Sequence, residues 1–124
     1  MRLKLLVAAL VVVPSIAAAQ SMNAETFYKR SNVLMAKGPM AIFARGEIKA
    51  LMTEASNAGK VARAERLAAL AAGKPPRACP PPKSSMGSDE FMKRLGAIPA
   101  AERSRINMTE AMTRITIARF PCPK

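Results

Sequence analysis

The chain has 124 residues, with 20 Lys and Arg against 8 Asp and Glu, a formal net charge of +12, no histidine and two cysteines. That length suits one small domain, and the missing histidine removes the commonest general base and metal ligand. The charge predicts attraction to anionic surfaces such as acidic proteins, phospholipid head groups or cell-wall polymers. Without aromatic residues interleaved among the basic ones, it does not point to nucleic acid.

At the N-terminus Arg2 and Lys4 precede the apolar run Leu5 to Val13, Pro14 breaks it, and Ala17-Ala18-Ala19 supplies the small residues that a signal peptidase reads. The expectation is a cleaved signal peptide over 1–19 and a single helical domain over 20–124, exported to the periplasm. The run is shorter than the roughly 20 apolar residues of a membrane span, so an integral membrane protein is not expected. With no cysteine directly after Ala19, neither is a lipid anchor.

Alanine and methionine are abundant and aromatics scarce, which favours an all-α fold, a small compact bundle of about four or five helices. Asn23 is placed to cap a first helix, with Glu25 near its positive end and Phe27, Leu34 and Met35 on one side. Gly38-Pro39 stops that helix and starts the next. The second stretch carries Met40, Phe43, Ile48, Leu51 and Met52 as its expected buried face, and Asn57-Ala58-Gly59 as its expected interruption. A third run holds Val61, Leu67, Ala68 and Leu70 and ends at Gly73, before Lys74-Pro75-Pro76.

Residues 74–87 are rich in proline and read as an extended connector around Cys79. Ser88 then caps a short helix with Asp89 and Glu90 in its first turn, ending near Gly96, and Ile98-Pro99 marks a turn. A last helix begins at Asn107, where Asn107 and Glu110 have capping-box spacing. Met108, Ala111, Met112, Ile115 and Ala118 form its stripe, and Phe120-Pro121 closes it. Cys79 and Cys122 both sit among prolines on stiff, non-helical backbone. In an exported chain two such thiols are expected to form a disulfide, closing a long loop and stabilising the fold by roughly 4 kcal/mol. A bridge between two chains is the other pairing open to them.

Nothing in the sequence assembles a catalytic constellation, so an enzyme is not expected and no cofactor or metal is assigned. The cysteines consume each other, and the carboxylates sit where helix dipoles or surface pairing account for them. Ala44-Arg45-Gly46-Glu47 lacks the glycine spacing of a phosphate cradle and reads instead as a close approach of two helices. Of the nine methionines, Met35, Met40, Met52, Met108 and Met112 read as core filler. Met22, Met86 and Met92 are left loosely placed, without the clustering that soft copper would need. The basic run Lys60 to Arg66 reads as a solvated helix face.

From Arg77 to Pro123 the chain resembles the Rap/Tai family of periplasmic immunity proteins, which neutralise peptidoglycan amidase effectors delivered by type VI secretion. The elements that carry the likeness are Cys79-Pro80-Pro81, the short helix Asp89 to Leu95, the turn Leu95-Gly96-Ala97-Ile98-Pro99, and the helix Ala111 to Phe120-Pro121-Cys122. The N-terminal half departs from the family, with Val33-Leu34 and Ala44-Arg45-Gly46-Glu47 in place of a second cysteine pair and a Gly-Tyr-x-x-Gly-like segment. The resemblance implies Pro80, Pro99, Phe120 and Pro121 as structural positions, a homodimer, and a protein partner that is a cell-wall hydrolase, inhibited by blocking its cleft. The alternative is a small basic envelope protein with a structural or stress role, held by anionic lipid or wall polymer.

Overall fold

The computed structural model describes residues 21–124, so the signal peptide expected over 1–19 lies outside the described residues. The fold is all-α, as expected. Helices α1 (Ala24–Ala36), α2 (Arg45–Ala71), α3 (Ser88–Ala97), α4 (Ala100–Arg103) and α5 (Met108–Arg119) follow in order, with a 3-10 segment over Gly38–Ala44. No described helix is long and apolar enough to cross a membrane.

Two asparagines set the frame. Asn23 Oδ1 accepts from the backbone N–H groups of Glu25 and Thr26 and caps α1, and Asn107 Oδ1 accepts from that of Glu110 and caps α5. The two caps lie side by side in an isolated antiparallel bridge. There the Ala24 N–H donates to the Ile106 carbonyl at 2.9 Å and the Met108 N–H to the Met22 carbonyl at 2.8 Å. The helix starts, which carry unpaired donors in isolation, are thereby locked into one another. Below them lies the core: Phe27, Leu51, Phe91, Leu95, Met108 and Ile115, with Ala24, Ala58 and Ala111 among them. The rings of Phe27 and Phe91 meet edge to face at 5.9 Å.

Several expectations need correction. Helix α2 does not break at Asn57-Ala58-Gly59 but runs unbroken for 27 residues. Ala58 is buried against the core, and a Cβ on Gly59 would lie 3.8 Å from Met112 Cε of α5. Small residues let α2 and α5 cross closely, and that packing overrides the helix cost of glycine, about 1 kcal/mol. Met35, Met40, Phe43, Met52, Leu67 and Leu70 are exposed rather than buried, and so is Ala118. The C-terminal half of α2 turns Ala62 and Ala69 toward the connector and α5, which leaves its leucines uncovered. Met22, Met86 and Met92, by contrast, pack against the core.

The remaining corrections are local. Gly87 precedes α3 and no side chain caps it, since Ser88 is already inside the helix. Glu110 does not complete a capping box, because its carboxylate is taken by Arg77. Gly46 has open space around it, so no close approach occurs there. The turn at Pro99 opens into the one-turn helix α4. Gly38, at φ 55°, does make the expected turn out of α1, in a left-handed conformation that costs a side-chain-bearing residue more.

Candidate functional site

Three arrangements could carry function, two of them closed by their own side-chain partners and the third open. The first is the pole around the disulfide. Cys79 and Cys122 are joined within the chain, with Cα atoms 4.9 Å apart at a sequence separation of 43. The Cys79 N–H donates to the Phe120 carbonyl at 2.9 Å. Arg77 grips Glu110 with two parallel bonds of 2.7 and 2.8 Å, and that guanidinium, aided by Arg114, holds the Glu110 carboxyl below its ordinary range. On the far side Arg119 donates to the Ser85 carbonyl and lies 4.7 Å from the centre of the Phe120 ring. Pro80, half buried, and Pro121, exposed, flank the bridge. Pro99 belongs elsewhere, at the start of α4.

The second arrangement surrounds Arg103. This side chain is buried and its Nε donates to Glu25 Oε2 at 2.6 Å, from the first turn of α1. Its Nη1 donates to the carbonyls of Gly96 and Ile98, and its guanidinium stacks 4.1 Å from the centre of the Tyr28 ring. One cation thus ties α1, the end of α3 and α4 together, and its charge is met by a carboxylate, two carbonyls and a π face. A Cβ on Gly96 would fall 2.8 Å from the Tyr28 hydroxyl oxygen, so any larger residue here has to displace the Tyr28 ring.

The third arrangement is open to solvent. Between α1, α2 and α3 runs an apolar groove of about 360 Å³, floored by Phe27, Leu51 and Phe91 and walled by Leu34, Ile48 and Met92. Met35 and Met52 stand on its rim, 54% and 69% exposed. The 3-10 segment that joins α1 to α2 adds Met40, Ile42 and Phe43, and Phe43 is 78% exposed. Arg30 of α1 and Glu47 of α2 clamp this end with bonds of 2.6 and 2.7 Å, and the arginine holds the Glu47 carboxyl below its ordinary range. The groove floor is therefore fixed by packing, while its rim is made of flexible thioethers that can adapt to a partner.

Of the residues expected to matter, Cys79, Cys122, Pro80, Phe120 and Pro121 come together as one structural pole, and Pro99 does not join them. None of them lines the groove. Sequence reasoning missed Arg103, whose partner Glu25 is 78 residues away, and it assigned the groove rim to the core. The available signal was composition: helical spacing supplies more large apolar residues in α2 than a single crossing with α5 can bury. Comparison of the chain with family models, with curated proteins and with solved structures finds no match.

Proposed function

We propose that this is an exported, non-enzymatic binding protein of the periplasm, of the Rap/Tai immunity kind, whose groove and adjoining 3-10 segment seat a protein partner and so block it. The partner that fits this reading is a peptidoglycan amidase. The observation that carries it is a groove with an ordered aromatic floor and exposed Met35 and Met52 on its rim, next to exposed Met40, Ile42 and Phe43 on the segment that joins α1 to α2. Isolated exposed apolar residues are ordinary on a protein surface, whereas a contiguous group beside a preformed concavity is the usual make-up of an interface. Aromatic and methionine side chains dominate the centres of such contacts. The in-chain link from Cys79-Pro80 to Phe120-Pro121-Cys122 also fits the element order of that family.

The test is binding and inhibition with secreted amidases encoded beside this gene. The parent protein should bind one of them and suppress its hydrolysis of peptidoglycan. Phe43→Ser with Met52→Ser should weaken binding by at least tenfold while the melting temperature stays put. A folded protein that binds none of these amidases, or a double variant that binds as tightly as the parent, would sink the reading.

A further inference from the structure

The solvent face of α2 is segregated by charge along its whole length. At about 100° per residue, Arg45, Lys49, Met52, Ser56, Lys60, Arg63, Leu67 and Leu70 fall within an arc of roughly 80°. All eight are exposed. The three acids of the helix, Glu47, Glu54 and Glu65, lie together well outside that arc, and Glu47 and Glu54 are engaged by Arg30 and by the Met22 backbone N–H. Among the described residues none of the four cations on the arc takes part in an ion pair. The stripe spans a helix of 27 residues, roughly 40 Å.

We infer that this stripe lays the protein flat on an anionic phospholipid surface. Charge complementarity names an anionic occupant, and a one-sided stripe along an unbroken 27-residue helix suits a plane that can meet every cation at once. The exposed leucines decide between anionic sources. Leu67 and Leu70, 49% and 52% exposed, share the arc with Lys60 and Arg63, so cations that reach head-group phosphates would bring apolar tips to the acyl boundary. A wall polymer of sugars and carboxylates has no use for those tips. This face is separate from the proposed partner groove apart from Met52, which stands at the edge of both. Membrane attachment would leave most of the groove open.

The experiment is flotation of the protein, as purified from its producing cells, with vesicles of phosphatidylglycerol and phosphatidylethanolamine, against vesicles of phosphatidylcholine alone. Binding should require phosphatidylglycerol and fall steeply with salt. Lys60→Glu with Arg63→Glu should weaken it on the order of thirtyfold, taking about 1 kcal/mol for each lost cation. Reversing Lys29 and Lys93 instead, which are exposed on other helices, imposes the same net charge and should cost far less. Leu67→Ser with Leu70→Ser should weaken binding roughly tenfold. All these side chains are exposed, so melting curves should coincide and certify the fold. Equal losses for the two charge-reversed pairs would overturn the stripe in favour of net charge. Binding to purified peptidoglycan but not to vesicles, or indifference to the leucine changes, would overturn the lipid assignment.

Discussion

Around the starts of α1 and α5, Leu95 and Met108 are fully buried and the polar groups between them are paired. At the junction of α1 and α2, Met40, Phe43 and Met52 stand 62%, 78% and 69% exposed. The two regions draw on the same residue types. What separates them is covalent and ionic anchoring: the first is crossed by the Asn23–Asn107 bridge, the Arg103 cluster and, along α5, the disulfide. The second has only the half-exposed Arg30–Glu47 clamp, and ion pairs so open to solvent contribute little to stability. A domain of this size has a modest core. Here it is closed over near the starts of α1 and α5 and left open between α1, α2 and α3, where apolar residues are displayed.

The sharpest way to break that comparison is at Arg103. Replacing it by Met removes one member of a buried pair and leaves Glu25, 14% exposed, uncompensated, so we expect a loss of about 3 to 5 kcal/mol in urea unfolding. The double variant with Glu25→Gln should recover a substantial part of it. Cys122→Ser comes next, with an expected loss of roughly 2 to 5 kcal/mol under non-reducing conditions. Lys60→Ala, on the solvent face of α2, should stay within about 0.5 kcal/mol of the parent. A Cys122→Ser protein that melts with the parent would show that the disulfide pole is not what holds the last helix.

Gly96→Ala refines the picture of the first region. Its methyl group would have to displace the Tyr28 ring, which is held under Arg103, and we expect about 1 to 3 kcal/mol of destabilisation. Tyr28→Phe in the same background should return part of that loss, because the hydroxyl oxygen is the atom in the way.

Much of this first region was legible in the sequence. Asn23 and Asn107 sit where caps must sit, Gly38-Pro39 punctuates as its chemistry requires, and the proline-bound cysteines announced their pairing. Two things were not legible. Glu25 and Arg103 meet only because α1 and α4 are folded together, and no local pattern encodes a contact between residues so far apart. The exposed methionines obey helical spacing as faithfully as buried ones, since periodicity reports that a face is apolar and not whether anything covers it.

A smaller effect is expected from acid. Arg77 holds the Glu110 carboxyl below its ordinary range, so its folded form binds a proton less readily than the unfolded chain does. The pair therefore stabilises the fold at and above the ordinary carboxylate range, and that contribution fades as pH falls through the folded value. Glu110→Gln should lower stability slightly near neutrality, and the gap between parent and variant should close in acid melts. A gap that widens toward low pH would contradict the assigned pairing.

The division of the molecule into a closed pole and a displayed face is tested most directly by the rates at which its methionines oxidise. Brief peroxide treatment of the folded protein, read by peptide mass spectrometry, orders side chains by solvent access. Met35, Met40 and Met52 should oxidise first and without loss of helical signal, and Met108 should be protected until the protein unfolds. Oxidation of Met108 at the rate of Met40, or protection of Met40 and Met52 in the folded protein on its own, would contradict the account.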